Sequence, residues 1–346
     1  MSSGRVYKLS QSLSKYLPYI IAALFSVAFF VVVLVLLGQN PLLGLISLIR
    51  SSLGSGYSVG NTLTYMSMLL LASIAFLVGF SGGFINIGVE GQLYMGAIFA
   101  YIVSQQFGSL PFPLPLLLAL ISSIAGGIVW IAIPLFLKVR FKINEVFVTM
   151  ILNFISPLIV SWGVTGPFRD PRVSQPQSLP IPSSAWIPKL PSINLQLGFI
   201  LSVAIAVLIY LLQYFTTLGL YIRAVGSNPQ ASRASGIDPK IVMIIVGLLS
   251  GGMAGIIGFI EVNGNSHLLM ENFSMGWGYL GIAVAVLGNF HPLGALVASF
   301  FYSVLISGGR GLEIYMGLPI EISFVLQVTI VLVAIIVKTF LTERVK

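Results

Sequence analysis

About ten stretches of this chain stay apolar for as long as a lipid bilayer is thick. A helix crossing the hydrocarbon needs about 20 mostly apolar residues. Candidates fall at 17–38, 62–80, 84–104, 112–137, 144–164, 198–216, 240–262, 276–289, 292–308 and 320–338. The eighth and ninth are short and poorly separated. Little is left between them to make a water-soluble surface: 8% of residues are charged and 57% hydrophobic, where a soluble domain carries roughly 25% charged residues. The expected fold class is an all-α membrane protein of about ten transmembrane helices, one transmembrane domain over residues 1–346. The run 17–38 exceeds the 7–15 apolar residues of a typical signal peptide, so it is read as a retained first span.

Lysine and arginine placement orients the spans. With the N-terminus (Arg5, Lys8, Lys15) in the cytoplasm, ten crossings put Lys138, Arg140, Lys142, Arg223, Arg233, Lys240, Lys338, Arg344 and Lys346 on the same side. The other side keeps Arg50, Arg169, Arg172, Lys189 and Arg310. This is the positive-inside pattern, with both termini cytoplasmic in a multi-pass plasma membrane protein. The basic residues lie in short clusters between apolar runs, so the net charge of +8 points to topology and not to nucleic acid. There is no cysteine and there are two histidines, so no metal site is expected. Seven prolines between Gly166 and Leu197 forbid regular helix and place that outer loop outside the hydrocarbon. It separates a first half, 1–165, from a second, 198–346. Five spans on each side would give two pseudo-repeated halves of opposite orientation.

Polar residues inside apolar runs mark the candidate sites. Asn86, Glu90 and Tyr94 follow an i, i+4, i+8 spacing, one helix face, in a glycine-rich hand-over between the second and third spans. A carboxylate at membrane depth costs several kcal/mol unless paired or hydrated. The stripe, with Gln92, either faces a solute pathway or holds a neighbouring helix end. Glu145, Thr149 and Asn153 repeat the spacing, with Asn144 as an N-cap. Asn289 and His291 line a gate or cap helix ends; capping is the simpler reading. Glu261, Glu271 and Glu321 lie near predicted helix ends, where water is expected to reach them. Gly247, Gly251 and Gly255 form a small-residue ridge for close helix contact; Leu249–Gly252 mimics an ATPase signature, but no phosphate-binding loop accompanies it. Between the sixth and seventh spans two helix starts follow in succession. Asn228-Pro229 opens a short helix that Gly236 closes, and Asp238-Pro239 opens the next span. A short, exposed helix over 228–236, rich in small residues, suits docking into a groove on a partner.

Four motifs together resemble a known family. Phe84–Gln92 looks like the signature of nucleoside-type ABC permeases, within the superfamily of branched-chain amino acid, ribose and nucleoside permeases. Asn144–Asn153, Arg223–Ile237 and Leu280–Gly294 are similar to its following motifs, in order and spacing. The resemblance implies a type II ABC importer-like permease, with no catalytic chemistry and no cofactor of its own. ATP and magnesium would bind partner ATPase subunits docked on the coupling helix, with Arg223, Ser227, Asn228, Pro229, Arg233 and Gly236 as coupling residues. A second permease, identical or related, and an extracellular substrate-binding protein complete the implied partners, together with the bilayer. The pathway would be lined by Asn86, Glu90, Gln92, Tyr94, Asn153 and Asn289. Asn86-Ile87-Gly88-Val89-Glu90 stands where sugar permeases of the superfamily carry a different motif, which favours nucleosides over ribose-like sugars. The alternative from another class is an ion- or proton-coupled secondary transporter using Glu90.

Overall fold

A computed structural model describes residues 24–25, 27–319 and positions 321, 322, 324, 325, 328, 329, 332, 333 and 336. The basic N-terminal segment, most of the tenth expected span and the C-terminal lysines and arginine lie outside the described residues. Helices dominate, as expected: α1 (Val27–Leu36), α2 (Pro41–Leu53), α3 (Gly56–Ser81), α4 (Val89–Phe107), α5 (Leu114–Phe141), α6 (Glu145–Thr165), α7 (Leu197–Phe215), α8 (Thr217–Ser227), α9 (Pro229–Ala234), α10 (Pro239–Phe259), α11 (Trp277–Leu287) and α12 (Pro292–Met316). A π-helical turn, Ile260–Ser266, continues α10. Among the described residues, six helices are long and apolar enough to cross a membrane, or seven if α1 and α2, bent by 119°, count as one span.

The framework divides into two compact units: the described residues of 1–62 with 300–346, and 63–299. In the first, the chain bends at Gly38 (φ +71°), and Asn40 restarts it by accepting from the Leu42 N–H at 2.9 Å. Phe30, Leu34, Leu312 and Leu318 form its core. Sequence reading missed α2, because its residues 47–52 (Ser-Leu-Ile-Arg-Ser-Ser) interrupt the apolar run.

The second unit is built on α4, α5 and α10, which pack side by side. Small residues make this possible. A methyl group on Gly127 would strike the Gly251 carbonyl oxygen and lie 2.9 Å from the Gly255 nitrogen; one on Gly96 would strike the Gly255 backbone. Without a hydrophobic drive between helices in lipid, such close backbone approach is a main source of attraction. The ridge expected at Gly247, Gly251 and Gly255 does this work against Leu135, Ile131, Gly127, Ser123 and Gly96. α6 has the polarity of a membrane helix: Glu145, Thr149, Asn153 and Ser156 are buried, while Phe147, Phe154, Leu158 and Trp162 point outward. That inversion suits lipid outside and polar groups paired within.

The proline-rich segment folds as a cap on the ends of α4 and α10. Backbone N–H groups of Ser178, Ile181 and Ile187 donate to Leu269, His267 and Asn263 carbonyls at 2.7–2.9 Å. Asn263, in the π-turn, donates to Ser104 Oγ (2.8 Å) and Ala185 O (2.9 Å). Glu261 is 4% exposed, so the expectation that water reaches it is corrected: the π-turn folds it inward, where Asn265 donates to it at 2.8 Å. The Trp186 and His267 rings stack at 3.9 Å, tilted by 10°. Burial, with the positive charge of Lys189, pulls the His267 imidazole down to about 4. An unfolded histidine titrates near ~6.5, so between those values only the opened cap takes up the proton. Cap stability is full above pH ~6.5 and declines as pH falls toward 4. Hydrogen exchange of amides 178–187, corrected for intrinsic rates, is expected to accelerate from pH 7 to pH 4.5. The acceleration should vanish in His267→Gln; unchanged protection in the parent would refute the assignment.

Candidate functional site

α3 ends at Ser81 and α4 begins at Val89, and the hand-over between them buries Phe84, Asn86 and Gly88. Gly83 takes φ +80°, a value that costs glycine little, and the chain turns back so that Phe84 N–H donates to Gly79 O at 2.9 Å. Non-helical backbone at this depth must be satisfied from within the protein. Asn153 spans the break, donating to Ile87 O at 2.9 Å and accepting from Gly91 N–H at 2.8 Å. Asn86 and Gln92 exchange two amide hydrogen bonds of 2.8 and 2.9 Å. Asn86 also accepts from Gly88 N–H and donates to Ser250 Oγ on α10. The Ser250 hydroxyl donates in turn to Ala75 O at 2.5 Å.

A second break meets the first. The expected eighth span, 276–289, is corrected: α11 has 11 residues, about 16 Å at 1.5 Å per residue, half the hydrocarbon thickness. The preceding residues descend from the cap as irregular chain. Leu269 pairs with Ser178, Phe273 packs on Tyr94 with ring centroids 4.5 Å apart, and Gly278 N–H donates to Glu90 Oε2 at 2.7 Å. Trp277 is fully buried and stacks on Tyr65. Glu90 therefore sits in the first turn of α4 and against the first turn of α11. Both helix ends are partially positive, and the buried Glu90 side chain lies between them. The helix face expected from Asn86, Glu90 and Tyr94 is corrected, since Asn86 precedes the helix and acts from the loop.

Asn86, Glu90, Gln92, Tyr94 and Asn153 are thus brought together, all buried. Asn289 is not among them. It lies exposed just beyond the Gly288 C-cap of α11 with φ +56°, and its backbone N–H donates to Val286 O at 3.0 Å. Phe290, next to it, stacks on Phe80 at 4.6 Å. Sequence reading missed Ser250, masked by the glycines around it, and the Gly278 N–H, a backbone group with no side-chain signature.

The double start at 228–240 forms as expected, with α9 shorter than 228–236. Asn228 Oδ1 accepts from Gln230 and Ala231 N–H at 3.0 Å, and Pro229 occupies the first turn. Gly236 (φ +83°) closes the helix: its N–H reaches Arg233 O and Ile237 N–H reaches Ser232 O, each 3.0 Å, a Schellman pair. Asp238 then caps α10 through Lys240 N–H at 2.9 Å. α9 is exposed apart from Ser232. Pro229, Gln230, Arg233, Ala234 and Pro239 line an open concavity of about 430 Å³. Arg223 and Ser227 lie on α8, and Arg223 turns over the Tyr214 ring of α7 at 5.3 Å.

Residues 58–336 match the family described as branched-chain amino acid transport system permease component. The chain belongs to this permease family. It is 32% identical to the guanosine ABC transporter permease protein of Bacillus subtilis, over 93% of this chain and 94% of that one. It is 31% identical to the nucleoside ABC transporter permease protein of Lactococcus lactis subsp. cremoris (92% and 90%). It is 28% identical to the glucose ABC transporter permease protein of Haloferax volcanii (91% and 85%). No solved structure matches it.

Within this permease the Glu90–Gly278 bond joins the two broken helices. Glu90→Ala leaves a buried N–H without an acceptor, at a cost of about 1–3 kcal/mol, whereas Glu90→Gln retains an acceptor. The melting temperature of the purified permease is expected to drop in the alanine variant and recover in the glutamine variant. Parent-like melting of Glu90→Ala would show that the bond contributes nothing.

Proposed function

We propose that the chain is the membrane subunit of an ABC importer for nucleosides or related sugars, moved by separate ATPase subunits that hold α9. The double-capped, exposed α9 carries this reading: two helix starts and a Schellman closure rigidify six residues that cover no core of their own. Relatives named as guanosine, nucleoside and glucose ABC transporter permeases support the solute class. ATP and magnesium belong to the ATPases. The assembly includes a second permease copy or paralogue and an external binding protein that delivers the solute. The full chain crosses the plasma membrane about ten times, in two halves around the 166–197 loop, with both termini cytoplasmic.

Motion at α9 has a direct route inward. Asp238, the N-cap of α10, comes two residues after the helix closes, and Ser250 lies about 18 Å further along α10. There it touches Asn86 and the α3–α4 break. The solute path runs beside the junction of Glu90, Tyr94, Asn153 and α11, where discontinuous helices place binding groups near mid-membrane. Asn289 edges the same path at its inner end. In proteoliposomes holding the complete complex, uptake of guanosine and inosine is expected to require ATP and the binding protein, and to survive an ionophore. Uptake that persists without ATP and collapses with the ionophore would replace this reading by coupled secondary transport through Glu90.

A further inference from the structure

The inner end of α7 carries a cluster that neither the junction nor α9 uses. Tyr210 and Tyr214 lie one turn apart with ring centroids at 5.1 Å. The His291 ring stands 5.8 Å from Tyr210 and 5.2 Å from Tyr214. The Arg223 guanidinium sits over Tyr214 at 5.3 Å. Every polar tip here is a hydrogen-bond donor. His291 Nδ1 accepts from Leu293 N–H at 3.2 Å, which leaves Nε2 to carry the proton. His291 also precedes α12, a 25-residue helix whose first turn presents its positive end beside the ring. Gln213, on the same face of α7, is 3% exposed, and its side-chain nitrogen has no partner among the described residues. Arg223 forms no ion pair with a carboxylate among the described residues.

We infer that Arg223, Tyr214, Tyr210 and His291 bind the phosphate of an anionic phospholipid headgroup. The surroundings select a lipid over a soluble anion. The cluster lies at the last turn of a candidate span, where tyrosines anchor at the membrane interface. Phe215 is 72% and Leu220 55% exposed beside it, surface suited to acyl chains. Arginine near a membrane surface favours anionic lipid by about fivefold per charge.

The test uses the full-length protein in detergent. Native mass spectrometry compares retained phosphatidylglycerol with phosphatidylcholine, and thermal melting is followed with each lipid or with inorganic phosphate alone. The parent is expected to retain phosphatidylglycerol about fivefold over phosphatidylcholine and to melt higher with it. Arg223→Ala and Tyr214→Phe, the latter keeping the ring and its packing, should each bring the ratio toward unity. Equal retention of both lipids by the parent overturns the inference. So does a preference that survives both variants, even where they weaken ATPase association, because Arg223 would then serve that partner. An equal melting shift from inorganic phosphate alone also overturns it.

Discussion

Replacing Gly127 with leucine is expected to remove nearly all folded protein from the membrane fraction. The α5–α10 crossing leaves no space there: the first side-chain carbon alone would overlap the Gly251 carbonyl oxygen and crowd the Gly255 nitrogen at 2.9 Å. Neither atom belongs to a side chain that can rotate away. The helices must separate, and because α4 packs on both, the whole triad loosens. Overpacking costs about 1–3 kcal/mol where side chains can yield, and a backbone obstacle belongs at the upper end. About 3 kcal/mol shifts the folded-to-unfolded ratio by more than a hundredfold. Gly252→Ala supplies the contrast, since its new methyl would meet the Ile124 side chain at 3.2 Å, which has room to adjust. Size-exclusion profiles and yields in mild detergent measure both. A monodisperse, parent-like Gly127→Leu peak would mean that the triad is not the folding core.

Arg233→Glu and Gly236→Val are each expected to cut ATP-driven uptake at least tenfold while the purified permease melts like the parent. Arg233 lines the concavity on α9 and is exposed, so reversing its charge leaves the interior untouched. Gly236 holds φ +83°, and the first side-chain carbon of a substitute would meet no neighbouring residue within 4 Å. Valine does destabilise the left-handed closure, by about 1–2 kcal/mol for the conformation alone, and releases the last turn of α9. Uptake and substrate-stimulated ATP hydrolysis, measured together, separate the outcomes. Loss of both with normal melting fits a handle that has slipped. Full stimulation in both variants would remove α9 from the coupling scheme.

Much of this was legible in the sequence, for reasons specific to particular residues. Caps are local, so Asn228, Gly236, Asp238 and Asn144 could be read from their neighbours alone. The Gly251 and Gly255 ridge was legible because a membrane helix gains little from glycine unless something approaches closely. The α3–α4 break was only half visible. Glycines announced an irregularity, but an i, i+4, i+8 spacing suggested a helix where Asn86 lies in irregular chain. Periodicity cannot distinguish a helix from a loop that happens to carry polar residues at helical intervals. α11 failed differently: apolar length was taken as a crossing, although irregular chain packed inside the protein covers part of the depth. Glu261 was misplaced because a π-turn rotates side chains off the α-helical register. α8 escaped notice because its exposed apolar residues mix with polar ones.

One continuous helix, Pro239 to Ser266, begins beside α9 and ends under the proline-rich cap, where Asn263 is bonded to Ala185 and Ile187. A stiff rod fastened at both ends carries news in either direction, and thermodynamic linkage makes the exchange symmetrical. If an engine gripping one end reshapes the outer lid, then a cargo carrier settling on that lid must alter the engine's grip by the same factor. In the proposed assembly, the resting complex would thereby sense a loaded carrier before any fuel is spent.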